Sequence, residues 1–214
     1  MPFADAKQRF SNRVTDYARY RPGYPSALID LITKECGLRS DHVIADVASG
    51  TGLLTKLFLV HGNRVYGIEP NAEMRAGGED FLRGYSNFTS INGSAEATTL
   101  ADSSVDFVTV GQAFHWFDVA GAQREFHRIL KPDGWAVVIW QDRRMHETAF
   151  AREYESVLVR FGIDYKSVKD TYPETEKMRN FFEHGTFQTH DLPNHQDFDW
   201  EGFRGRLRSS SYAP

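Results

Sequence analysis

The chain has a single cysteine, Cys36, among its 214 residues. That rules out an internal disulfide and any multi-cysteine metal cage, and it agrees with a reducing compartment. Also missing is any apolar run near the ~18 to 20 residues that a membrane-spanning helix needs, so no membrane partner is expected. The opening stretch MPFADAKQRFSNR carries charges where a secretory signal needs an apolar core, which makes a cytoplasmic location the expectation. There is no basic excess either. A net charge of −4 and a pI near 6.1 argue against a chain that works by neutralising phosphates, so no nucleic-acid partner is expected. The one concentrated basic run, RGRLR at 204–208, reads as a solvated helix face. The eight histidines are scattered, with no helical pair beside a third ligand, so no metal is assigned.

What the chain does have is alternation. VIADV (43–47), RVYGIE (64–69), FTSIN (88–92), VDFVTV (105–110) and WAVVIW (135–140) are short β-branched or aromatic runs bounded by turn residues, and each reads as a strand. Between them, Leu53, Leu54, Leu57 and Phe58, and then Phe126, Ile129 and Leu130, recur at helical spacing. Strands apolar along their length and separated by helices imply an α/β fold, a parallel sheet with helices on both faces and ligands beyond the carboxyl ends of its strands. Ahead of the first strand, YPSALIDLITKECG predicts a helix capped by Ser26 and ended by Gly37. Beyond the fifth, 146–163 reads as helix, while FQTHDL (187–192) and HQDFDW (195–200) alternate like short strands or one interrupted strand.

The chemistry starts at DVASGTG, residues 46–52. Asp46 closes the first strand, and Gly50 and Gly52 allow a tight turn that brings backbone amides close to a ligand at the start of the next helix. The second strand ends in Glu69, a carboxylate able to accept both hydroxyls of a ribose. The dinucleotide fingerprint G-x-G-x-x-G fails in either register, at Ala48 and Leu53 or at Thr55, and no P-loop lysine pattern is present. A nucleotide-like ligand other than a dinucleotide or triphosphate fits best.

These residues resemble the class I S-adenosylmethionine-dependent methyltransferases. DVASGTG is similar to their D-x-G-x-G-x-G motif and GIEP to the end of their second strand. GSAE (93–96) matches the loop after the third strand, GQAFHWFD (111–118) the loop after the fourth, and REFHRILKPDGWAVVIW the helix, turn and fifth strand. The aromatic stretch YARYRPGYP, together with AFHWFD, most resembles a small-molecule branch that includes trans-aconitate methyltransferase-like proteins.

The resemblance implies a Rossmann-like doubly wound, mostly parallel sheet and S-adenosylmethionine as cofactor. It also implies a single domain over 1–214, with a lid and helix in 1–37, a cofactor-binding core in 38–142 and a substrate-side region in 143–214. Asp46 would hold the methionine amino group above Ala48, Gly50 and Gly52. Glu69 would hold the ribose, with Pro70 and Met74 beside the adenine and Ser94, Ala95 and Glu96 at its edge. Gly111, Gln112 and Ala113 would pass beneath the sulfonium, and Tyr17, Tyr20 and Arg21 would form the lid. Three departures stand out. Ala48 replaces a glycine, which costs about 1–2 kcal/mol if its backbone is left-handed; Asp133 replaces a glycine in the turn before the fifth strand; and the family continues past LRSSSYAP to a last antiparallel strand that is expected to be lacking here.

Methyl transfer from a sulfonium is an in-line displacement that rests largely on alignment and water exclusion. A small-molecule methyl acceptor would face Tyr24, His115, Trp116, Trp140 and Arg143. His115 reads either as the catalytic base, for an acceptor that must lose a proton, or as a wall residue that shapes the pocket. Trp140 reads equally as core. Arg21, Arg143 and Arg144 suit an acidic acceptor. Two other readings stay open: a non-catalytic or impaired protein that keeps the fold, and, with less support, an NAD-dependent oxidoreductase. Oligomeric state has no signature in the sequence.

Overall fold

The computed structural model describes residues 19–163, 165, 175–182 and 187–210. Its centre is a five-stranded, all-parallel sheet in the order β3-β2-β1-β4-β5. The strands are β1 (Val43–Val47), β2 (Arg64–Ile68), β3 (Phe88–Ile91), β4 (Val105–Gly111) and β5 (Leu130–Ile139). β1 lies between β2 and β4, in register Asp46↔Gly67 on one side and Asp46↔Thr109 on the other. Before, between and after them come α1 (Ala27–Cys36), α2 (Leu53–His61), α3 (Ala72–Leu82), α4 (Val119–Ile129), α5 (Ala149–Phe161), α6 (Thr175–Phe181) and α7 (Trp200–Arg208). Among the described residues no helix is long and apolar enough to cross a membrane.

Period-two alternation along the strands divides the core into two layers. Ile44, Val65 and Phe107 face Leu28, Ile32, Leu54 and Phe58 of α1 and α2. Ala45, Val47, Val108 and Val110 face Phe114, Phe126, Ile129 and Phe181 on the other side. Helices therefore cover both faces, as the sequence predicts, and the carboxyl ends of all the strands open to one side.

Three local expectations are corrected. Ser26 does not cap α1: its own backbone is helical (φ −59°, ψ −28°), which places it inside the first turn with no side-chain capping bond. Gly37 does end that helix in the left-handed conformation, its N–H donating to Thr33 O at 3.0 Å. The second correction concerns 187–199, which forms no strand. Leu192 instead packs, half-buried, against the core layer that holds Ile44, Val65 and Phe107. Third, β5 begins at Leu130, before the KPDG turn. Its register on β4 jumps from Val105↔Leu130 to Phe107↔Trp135, and Asp133 sits in that irregularity with φ 66°.

One buried charge cluster fixes the loop after β3 to α4. Glu125 Oε1 accepts from Thr98 N at 2.7 Å and from Arg128 Nη2 at 2.7 Å, while Oε2 accepts from Arg128 Nε at 2.8 Å. Hydrogen bonding from Arg128, ahead of that from Thr98, holds the Glu125 carboxyl down to about 2. A depressed acid adds stability above its unfolded pKa, near 4.3, and the gain disappears as pH falls from there towards 2. Glu125→Ala is expected to destabilise the fold by about 2–3 kcal/mol at pH 7, discounted for the partly exposed arginine. Urea unfolding at pH 7 and at pH 3 checks this, with the gap from wild type shrinking at the lower pH.

Candidate cofactor and acceptor site

The residues expected to bind a nucleotide-like ligand converge where β1, β2 and β4 end. Asp46 is 1% exposed. Its Oδ2 accepts from Thr55 Oγ1 at 2.5 Å and its Oδ1 from Thr109 Oγ1 at 3.0 Å. Burial pushes its carboxyl up to about 6, opposed by those two hydroxyls. Thr55 and Thr109 are site residues that sequence reading misses, because a threonine in a helix or strand looks like core until its hydroxyl is seen against a carboxylate.

The loop that follows is tied to the second strand. Ser49 N donates to Ile68 O at 3.1 Å, and Gly50 N donates to Glu69 Oε2 at 2.9 Å. Glu69, 8% exposed, also accepts from Asn71 N at 2.8 Å through Oε1. Burial raises its pKa, and the amides of Asn71 and Gly50 oppose the rise. Asn71 in turn caps α3, its side chain accepting from Met74 N at 2.8 Å. That places Met74 against the loop: a Cβ built on Gly50 would stand 3.2 Å from the Met74 methyl.

Two glycines are tightly fitted. Gly52 has φ 84°, and a Cβ there would lie 2.5 Å from Leu82 Cδ1. Gly111, at the end of β4, lies under Tyr24, whose hydroxyl would stand 2.5 Å from an added Cβ. Ala48 takes φ 56°, the left-handed conformation that the sequence anticipates as costly for a non-glycine residue. Ala48→Gly is expected to raise stability by about 0.5–1 kcal/mol, strain relief partly offset by a freer unfolded chain. A melting temperature a few degrees higher would show it.

Past Gly111, Gln112 is also left-handed (φ 60°), its N–H donating to Ile139 O at 2.9 Å and its Nε2 buried with no hydrogen-bond partner among the described residues. Thr51 Oγ1, in the glycine loop, is likewise buried without a partner among the described residues. Two orphaned polar atoms flanking two buried carboxylates suit a ligand with polar groups of its own. Ser94 and Ala97 close a small bridge after β3, and Glu96 Oε1 accepts from Asp118 N at 3.1 Å, placing 94–96 beside the start of α4.

On the acceptor side, Phe114–Trp116 forms a 3₁₀ turn. His115 is 7% exposed, with its ring 4.5 Å from that of Trp116. Burial, and secondarily the charge of Lys177, bring its pKa down to about 4. Trp140 meets Phe114 edge-on at 6.0 Å, with its Nε1 buried and unpartnered among the described residues. Arg143 is engaged with the α5 region: Nη2 donates to Tyr165 OH at 2.8 Å and lies 3.3 Å from Glu155 Oε2, and the guanidinium stands 4.8 Å over the Tyr154 ring. Arg144 pairs with Glu147 at 3.1 Å. Tyr17 lies outside the described residues. Tyr20 and Arg21 engage the α7 region, through Tyr20 OH to Glu201 at 3.2 Å and Arg21 Nη2 to Ser209 O at 2.9 Å.

Comparison with known proteins agrees with this geometry. A methyltransferase-domain family matches residues 45–138, a span that holds both carboxylates, the glycine loop and the His115 turn. An uncharacterized methyltransferase of Mycobacterium tuberculosis is 35% identical over 173 residues, covering 79% of this chain and 66% of the relative. The chain belongs to the class I S-adenosylmethionine-dependent methyltransferases. An uncharacterized methyltransferase-like protein of Schizosaccharomyces pombe, 35% identical over 136 residues, covers 63% of this chain and 52% of its own length. The chain thus spans about half to two thirds of the length of these relatives. Among solved structures, a protein from Anaeromyxobacter dehalogenans assigned as a type II methyltransferase has a TM-score of 0.62 at 22% identity, covering 90% of this chain and 80% of that one, and supports the fold. The family's cofactor is S-adenosylmethionine, whose cationic amino acid and ribose are what two buried carboxylates and adjacent orphaned polar atoms can satisfy.

Proposed function

We propose that the protein transfers a methyl group from S-adenosylmethionine to a small-molecule acceptor. The observation that carries this reading is the pair of buried carboxylates, Asp46 and Glu69, held apart by the left-handed loop 48–52 and fixed by hydrogen bonds from Thr55, Thr109, Gly50 and Asn71. In this reading Asp46 takes the ammonium of the methionine moiety and Glu69 the ribose hydroxyls. Pro70, Met74 and 94–96 border the adenine, and Gly111 to Ala113 run beneath the sulfonium. When bound, the cofactor supplies an electrophilic methyl group, and the protein aligns the acceptor and excludes water.

His115 acts here as a neutral wall residue. An imidazole held near 4 is uncharged at pH 7 and too weak a base to serve an alcohol or ammonium acceptor well. An acceptor already nucleophilic at neutral pH fits that environment. The described residues of 1–37 serve as lid and helix and those of 143–214 as the acceptor-side region, with Tyr20 and Arg21 in the lid and Tyr24 facing the acceptor.

Calorimetry with S-adenosylmethionine and S-adenosylhomocysteine tests the reading, followed by release of S-adenosylhomocysteine across an acceptor panel. Micromolar binding with turnover is expected. A folded protein that ignores both ligands would sink the proposal, and binding without turnover of any acceptor would favour a non-catalytic member of the fold.

A further inference from the structure

A cation that the sequence does not single out also bears on the acceptor side. Arg21, Arg143 and Arg144 are each engaged, with Ser209 O, with Glu155 and Tyr165, and with Glu147 respectively. Lys177 is different. It lies half-buried on α6, and it has no ion pair or hydrogen bond among the described residues.

The packing explains how it reaches the site. Phe181, 4% exposed, meets Phe114 edge-on at 4.9 Å and Phe126 at 5.5 Å, which clamps α6 against the 3₁₀ turn and α4. The side-chain amide of Gln123 on α4 fixes the end of α6, donating to Phe181 O at 2.8 Å. Lys177 is one turn before Phe181 and so shares its face. Phe114 precedes His115 directly, and the lysine's positive charge is felt at the His115 ring. A partly desolvated ammonium with no counter-ion among the described residues favours an anionic group beside it.

Building on the methyltransferase reading, we infer that Lys177 is a specificity-determining residue that selects an acceptor with an anionic group, a carboxylate in the simplest case, and orients that group beside His115 and Trp116. A charge-assisted contact of this kind changes affinity by roughly 10- to 100-fold. Lys177→Met is therefore expected to raise KM for a carboxylate acceptor by about that factor with little change in kcat.

The test needs no knowledge of the natural acceptor. Protein saturated with S-adenosylhomocysteine is titrated with acetate while the ring protons of His115 are followed by NMR. Wild type and Lys177→Arg are expected to shift saturably, and Lys177→Met to show no saturable shift. Acetate that leaves the wild-type ring unmoved, or that moves wild type and Lys177→Met alike, overturns the inference. S-Adenosylhomocysteine binding, measured in the same samples, reports separately on the methyltransferase reading. No S-adenosylhomocysteine binding by folded protein overturns the methyltransferase reading and the inference with it, whereas binding without the acetate response overturns the lysine's role alone.

Discussion

Glu69→Ala is expected to weaken S-adenosylmethionine and S-adenosylhomocysteine binding about 100-fold, close to ~2.7 kcal/mol. Two losses combine. The ribose hydroxyls lose a charged acceptor, and the N–H groups of Gly50 and Asn71 lose the oxygens that now hold them at 2.9 and 2.8 Å. The second loss reaches the loop itself, since Gly50 sits at its centre and Asn71 caps α3. Glu69→Gln is a poor rescue, because each carboxylate oxygen accepts from a backbone N–H, and an amide keeps one accepting oxygen while its NH₂ turns a donor against the other N–H. Isothermal titration of both variants checks the order: wild type tightest, Gln intermediate, Ala weakest. Equal affinities in all three would remove the ribose from Glu69.

The second large effect is a pH dependence centred on Asp46. With its folded pKa raised from the ordinary acid value to about 6, the native protein holds this proton more tightly than the unfolded chain does. The ionised carboxylate therefore costs stability above about pH 6, and the unliganded fold gains stability as pH falls from 6 towards 4, by up to ~3 kcal/mol. Binding runs the other way. An ammonium needs the ionised form, so affinity is expected to fall towards tenfold per pH unit below 6. Asp46→Asn removes the ionisation while Thr55 and Thr109 can reorient their hydroxyls to the amide. This variant is expected to melt higher without ligand, to bind about 30- to 100-fold more weakly at pH 7.5, and to show a nearly flat affinity profile between pH 5 and 7. A wild-type profile just as flat would place the ammonium elsewhere.

The sheet was legible in the sequence because its strands are buried on both faces. Near-continuous Val, Ile and Phe between glycine and polar turns leaves few other folds. The glycine loop and its acid were legible because close backbone approach restricts residue choice. Where the signal failed, the reason was pairing. FQTHDL and HQDFDW alternate as strands do, but alternation records which side chains face inward and not whether a neighbouring edge is there to complete a ladder. Arg143 shows the same limit for charge: its partners Tyr154, Glu155 and Tyr165 are on and just beyond α5, a juxtaposition no local pattern announces. Lys177 was invisible for the same reason. The positive φ of Gln112 carried no mark either, since glutamine is not a turn residue and only the fold imposes the angle.

The Asp46–Thr109 bond also bears on how the protein is made. Its two ends are 63 residues apart in sequence. A ribosome adding 5–20 residues per second delivers Thr109 about 3 to 13 s after Asp46. Through that interval the nascent chain can pair β1 with β2 but cannot close the far side of Asp46, so an acidic side chain destined for the interior stays hydrated. Withdrawal of that carboxylate from water, and with it assembly of the site, waits for the fourth strand to emerge.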